Sequence, residues 1–235
     1  MMSDKRSIFI GIDLSDPFAK RGRPCTRATI GSDLNCIFDE WEYDLTGNQI
    51  VPDNILPIQF LVAIDGPQGL AGNPECTMRL SERRLGTPGK SPYAFRPIGQ
   101  PYAGFVQGSV RLFYSLSKSQ RFQLYGLKNE KVDTNLIEVY PGAAWPAISG
   151  HRLQNKKLLA GRQSRYELLM RMGIKFSPEY TIEVPPTHDQ LDAAIAAYAA
   201  YLFTIGRTME CGQNPFADER LGVLREGLII QPVHI

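Results

Sequence analysis

Five acidic residues of this chain stand where they could do chemistry: Asp13, Asp65, Glu138, Asp189 and Asp192. The first three end apolar runs, "SIFIGID" (7–13), "FLVAIDGP" (60–67) and "NLIEVYPG" (135–142), with Glu138 one step inside its run. The last two open the segment "THDQLDAAIAAYAAYLF" (187–203). If the three runs are neighbouring strands of an open sheet, their acids gather beyond the carboxyl ends, where ligands of such sheets collect. Carboxylates brought together repel one another and take up protons unless a cation joins them. Hard oxygen donors of this kind suit Mg²⁺ or Mn²⁺. Two such ions about 3.5–4 Å apart form the clamp for in-line displacement at phosphorus.

Each acid also has a plainer account. Strands end at polar residues, and Asp before Gly is turn chemistry. Thr187 and Gln190 fit a capping box, which puts Asp189 at the second helical position, where the helix dipole favours an anion. Asp192 lacks such an excuse. Ala196, Ala199 and Phe203 follow it at helical spacing on a face that should pack on the sheet, and an unpaired buried carboxylate is costly.

Cations supply the other half of a phosphodiester site. Residues 151–175 hold seven Lys or Arg and one Glu, with Lys156 and Lys157 preceding Arg162 and Arg165 on one helix face. Arg79, Arg83, Arg84, Lys90 and Arg96 lie in the segment after Asp65. Arg79, Arg83, Lys157, Arg162 and Arg165 are the candidate substrate contacts, although for any one of them a solvated surface position is the simpler reading. Tyr93, Phe95 and Tyr102 could stack bases or anchor their loop.

The elements that must position these groups follow from pattern. The 7–13, 60–67 and 135–142 runs read as strands covered on both faces. "CTRATIG" (25–31) and "NCIFDEWEYD" (35–44) read as an antiparallel hairpin. Residues 66–104 carry 7 Gly and 6 Pro, which leaves room for no more than a helical turn near 76–85 and suggests a functional loop. Helices are expected over 104–118, 161–172 and 187–205, and "EGLIIQPVHI" reads as a short edge strand. The sum is an α/β layer architecture in one domain spanning 1–235, with a loop insertion over 66–104 and a C-terminal extension over 206–235.

Composition sets the frame. In 235 residues, 43% hydrophobic and 21% charged side chains are globular values, and a net charge of +2 permits an anionic partner without demanding one. Four cysteines (Cys25, Cys36, Cys76, Cys211) form no C-x-x-C pair and His151, His188 and His234 lie far apart. Zinc is not expected, and buried thiols fit a reducing compartment. Without a leader-like or membrane-length apolar run, a cytoplasmic location is the expectation.

Taken together, "GIDLS", "AIDGPQGL" with "ECTMRLSERRLG", "IEVYPGAAW", "KKLLAGRQSR" and "HDQLDAAIAAYAA" resemble DUF429, a family of predicted nucleases assigned to the ribonuclease H-like fold. The resemblance spans about residues 8–205. It implies a mixed five-stranded sheet flanked by helices, with the long Gly/Pro-rich insertion after the fourth strand, and a metal-dependent nuclease site. By analogy with resolvase-type members of that fold, Asp13 would bridge the metals and Asp65, Asp189 and Asp192 would complete the shell. Glu138 falls on the fifth strand, where the wider fold does not always place a ligand. The expected activity is hydrolysis of DNA or RNA phosphodiesters with Mg²⁺ or Mn²⁺. Two other readings stand beside it. One is a nucleotide-handling ATPase or phosphotransferase, although the chain has no G-x-x-x-x-G-K-[ST] sequence. The other is a non-catalytic nucleic-acid-binding module that keeps the acids as structure.

Overall fold

A computed structural model of the protein describes residues 7–55, 59–127 and 134–233. Seven strands form one mixed sheet: β1 (Ser7–Asp13), β2 (Cys25–Gly31), β3 (Cys36–Trp41), β4 (Gln59–Asp65), β5 (Leu136–Val139), β6 (Thr208–Asp218) and β7 (Val223–Pro232). Their order is β3-β2-β1-β4-β5-β7-β6. Strands β1, β4, β5 and β7 run parallel, while β2, β3 and β6 pair antiparallel with their neighbours.

Five strands were expected and seven are present among the described residues. The difference lies at the C-terminal end of the chain. The segment read as a short edge strand is the inner strand β7, buried along its whole length between β5 and β6. Strand β6 is the edge. Its sequence, "TMECGQNPFAD", breaks register between Gln213 and Phe216 and carries Pro215 in that break. A polar, Gly- and Pro-interrupted run is what an edge strand tolerates, and it reads as loop in a linear pattern. His234 and Ile235, at the end of the expected strand, lie outside the described residues.

Five helices accompany the sheet: α1 (Leu80–Leu85), α2 (Ala103–Lys118), α3 (Pro141–Ser149), α4 (Leu159–Arg171) and α5 (His188–Thr204). Helix α2 covers one face, where Leu112, Phe113 and Leu116 meet Ile10, Ile12, Val62, Ile64 and Leu136. Helices α3, α4 and α5 cover the other, over Phe9, Leu61, Ala63, Ile137 and Val139. The alternation within β1, β4 and β5 follows the two-residue period of a strand. Because apolar residues occupy both phases, each run was continuous in the sequence.

Helix α5 lies between the sheet and α3/α4 and is buried nearly all round, hence its alanine-rich composition. Gly11 sets how close it comes: a Cβ there would fall 2.0 Å from the Ala193 carbonyl oxygen and 2.3 Å from the Ala197 nitrogen. The expected cap is present, with Thr187 accepting from the Gln190 N–H and the Gln190 side chain accepting from the Thr187 N–H. Helix α3 was not anticipated, since Pro146 inside "PGAAWPAIS" argues against a helix. Among the described residues no helix is long and apolar enough to cross a membrane.

Candidate functional site

In the parallel pairing of β1 with β4, Asp13 stands opposite Asp65. Directly paired residues project to the same face, here the face of Phe9, Gly11, Leu61 and Ala63 that carries α5. Strand β5 differs by one step. Its residue opposite Asp65 is Val139, so Glu138 pairs with Ile64 and turns to the α2 face. The three strand-ending acids therefore do not gather as one set. Two face α5, and the third turns to the α2 face, although its field still reaches Asp65.

Glu138 is fully buried and accepts both ends of a guanidinium fork, Arg79 Nη1 to Oε2 at 2.7 Å and Nη2 to Oε1 at 2.6 Å. It also accepts the Gln68 N–H at 2.9 Å. The Nε of Arg79 donates to Glu82 at 3.0 Å, and Glu82 accepts the Ser91 N–H at 2.9 Å. Burial acts to discharge Arg79, but Glu138 and then Glu82 hold its pKa above the ordinary value. Arg79 is thus no free substrate contact. It is 1% exposed and fastens the 66–102 segment to the sheet. Glu226 adds a second fastening, accepting the N–H groups of Gly72 and Leu80.

Asp192 is 2% exposed and fully partnered. The Trp145 indole N–H, from α3, donates to Oδ1 at 2.8 Å, and the Lys156 ammonium, from the α3–α4 connection, binds Oδ2. The buried acid expected to need a cation has one, supplied by the chain itself. The carboxylates of Asp13 and Asp65, both half-buried, form no hydrogen bond and no close ion pair among the described residues. Burial, followed by the fields of Asp65, Asp192 and Asp189, pushes the Asp13 pKa well above the carboxylate range against the pull of Lys156. Asp65 is pushed up to about 8 by burial and by Asp192 and Glu138, again against Lys156. Asp189 stands at the second position of α5, half-exposed beside the His188 ring nitrogen at 2.6 Å, and reaches Asp13 through its field.

Asp65 and Asp192 line a cleft of about 850 Å³ whose wall also includes Lys156, Trp145, Tyr140 and Tyr102 and the paired Glu138 and Arg79, whereas Asp13 and Asp189 are not among its lining residues. Arg165 also lines it, with its guanidinium 5.4 Å from the Trp145 ring centroid and donating to the carbonyls of Gln154 and Gly161. Arg83 and Lys157 are exposed and Arg162 half-buried, and none of the three borders the cleft. Pattern reading passed over Trp145, Tyr140 and Arg152, and it named Lys156 in the basic run but chose Lys157 as the substrate contact. For Trp145 a signal existed: a buried indole N–H needs an acceptor and a buried aspartate needs a donor. For Lys156 over Lys157 there was none, because in a loop the side that faces the protein is set by tertiary contacts.

Asp65 yields a prediction for the metal-free protein. A carboxyl with a raised folded pKa binds protons in the native state that the unfolded chain has released. Stability is therefore full below the unfolded pKa of 3.8 and declines as pH rises through about 8. In EDTA the melting temperature is expected to fall between about pH 4 and pH 8 and to level off above that, and Asp65→Asn, which cannot ionise, to flatten that slope. At about pH 9 the variant should melt roughly 4–8 °C above wild type, the scale of about 2 kcal/mol. An unchanged slope would remove Asp65 from the account.

As a donor set, Asp13, Asp65 and Asp192 offer the hard oxygens and the crowded negative charge that suit Mg²⁺ or Mn²⁺. Among the described residues, however, no three His, Cys, Asp or Glu are drawn together closely enough to hold a metal ion in this arrangement. A family model described as a protein of unknown function (DUF429) matches residues 109–217. The match supports the family resemblance. It covers Trp145, Lys156, Asp189 and Asp192 but not β1 and β4, which carry Asp13 and Asp65. No curated protein and no solved structure matches the chain.

Proposed function

We propose that the protein is a metal-dependent nuclease of ribonuclease H-like fold type, whose five-strand core β3-β2-β1-β4-β5 is extended by β7 and β6. One observation carries the reading: two carboxylates without side-chain partners, Asp13 and Asp65, stand in register at the carboxyl ends of adjacent parallel strands within the field of Asp192, and Asp65 lines a cation-bearing cleft with Asp192. Asp13 and Asp65 would hold a divalent ion, and Asp192 would join them on exchanging its ammonium partner. Bound there, Mg²⁺ or Mn²⁺ would polarise a phosphate oxygen and make water a stronger nucleophile. Asp65 holds a proton near neutral pH and must release it to bind a cation, so metal affinity should rise with pH. Lys156, freed from Asp192, is placed to neutralise a phosphate in the cleft, and Trp145 fixes the Asp192 carboxylate in orientation.

The test is a panel of fluorescent DNA and RNA substrates with Mg²⁺, Mn²⁺ or EDTA. Wild type should cleave only with metal, and Asp13→Ala and Asp192→Asn should each lower the rate about a thousandfold or more, equivalent to roughly 4 kcal/mol of transition-state stabilisation. Cleavage that survives both changes would place the activity elsewhere.

The Lys156–Asp192 pair favours a second reading, in which the acids are structural and the protein binds nucleic acid without cutting it. The melting temperature separates the two. An ion that binds only the folded protein must raise it. A Mn²⁺-dependent rise that is lost in Asp13→Ala supports the nuclease, and its absence supports the structural role.

A further inference from the structure

Of the aromatic residues that line the cleft, Tyr102 is the one the fold leaves exposed. Of the three aromatics in the 66–102 segment, Tyr93 lies under the Arg225 guanidinium at 3.9 Å and Phe95 packs beside the Val106 and Val110 cluster under Arg111. Both serve as anchors. Tyr102 is 50% exposed and lines the cleft, although it holds the left-handed backbone conformation, φ 63°, that a bulky side chain rarely adopts. Strain of this kind, held in place by surrounding structure, concentrates at ligand sites. Its ring rests alongside Gly89, whose lack of a side chain leaves room there. Tyr140 lies within its electrostatic reach, at the N-terminus of α3, with its hydroxyl over Gly142 and its pKa raised by burial and by Asp65. Beyond, the exposed Arg152 lines the same cleft with no ion pair or hydrogen bond among the described residues.

We infer that the cleft takes an unpaired nucleotide of a single-stranded nucleic acid, with the base against Tyr102 and the backbone phosphates toward Lys156 and Arg152. This rests on the nuclease reading and narrows its substrate. A volume of about 850 Å³ lies in the range that encloses a small ligand, so it admits a splayed-out nucleotide and not a stacked duplex. Aromatic faces with neighbouring cations are how sequence-tolerant single-strand sites hold successive bases.

The test measures binding in EDTA, so that it stands apart from cleavage. The probes are a short fluorescein-labelled single strand, the same strand annealed to its complement, and a free nucleoside monophosphate as competitor. The single strand should bind at least about tenfold more tightly than the duplex. Tyr102→Asn, which suits the left-handed backbone and removes the ring, should weaken single-strand binding about tenfold or more, and Tyr102→Phe should preserve it. Equal binding of duplex, or an unaffected Tyr102→Asn, would overturn the inference while leaving metal-dependent cleavage intact as a separate result. Displacement by the monophosphate as effective as by unlabelled strand would make a free nucleotide the occupant and overturn it also. Single-strand preference without any cleavage would uphold this inference and sink the nuclease.

Discussion

Arg79→Met is expected to lower the melting temperature by about 10 °C or more. The guanidinium is fully buried and satisfies Glu138 through a two-pronged bond and Glu82 through its Nε. Methionine replaces the aliphatic stem but carries no guanidinium, so the change leaves two carboxylates in a protein interior with no cation. Breaking a buried pair from one side costs about 3–5 kcal/mol, mostly the penalty of the stranded charge. Removing the partner too should therefore help. The Arg79→Met, Glu138→Met double variant is expected to melt well above the single one, even though it lacks both halves of the bond. Thermal melts of the four proteins in that cycle measure the coupling directly. A double variant no more stable than Arg79→Met would show that the loss came from packing and not from the unpaired acid. The same substitution should loosen the 66–102 segment that forms part of the cleft wall.

Gly11→Ala is the second large effect. The added carbon would sit 2.0 Å from the Ala193 carbonyl oxygen and 2.3 Å from the Ala197 nitrogen, and both are backbone atoms of α5. A flexible side chain could turn aside, whereas a helix backbone can only move as a body. The expected cost is about 3 kcal/mol or more, the upper end for overpacking, and Gly11→Val should fail to give soluble folded protein. Trimming α5 offers no escape: Ala197→Gly in the Gly11→Ala background should not restore stability, because the obstructing atoms are common to every residue type. Recovery in that double variant would mean that α5 is not seated on β1 as described. Because β1 ends in Asp13 and α5 carries Asp192, displacement of the helix should also separate the two acids. If wild type shows the Mn²⁺-dependent rise in melting temperature that the proposed metal site calls for, any Gly11→Ala protein that does fold is expected to lack it.

Much of this molecule was legible in linear pattern. The runs 7–13 and 25–31 are strands over those same residues, and the Thr187–Gln190 capping box opens a helix that buries Asp192 as its spacing required. Local chemistry explains these successes: strand period, helix period and capping are settled by residues within a few positions of one another. Edge strand β6 and helix α3 were missed because their Gly and Pro residues argue locally for loop, and only pairing with β7 and packing against α5 override that.

The candidate site divides along the same line. Sequence alone determined that acids end three buried strands and that Asp192 must lie inside the protein with a partner. It could not say which partner. The choice of Lys156 over Lys157, the arrival of Trp145 from α3 and the capture of Glu138 by Arg79 depend on tertiary geometry. So does the parity of β5, where one residue of register decides whether an acid faces α5 or α2. A strand's two faces are equally apolar in this sheet, so no hydrophobic signal distinguishes them in the chain. Only the pairing of strands remote in sequence assigns each carboxylate its side.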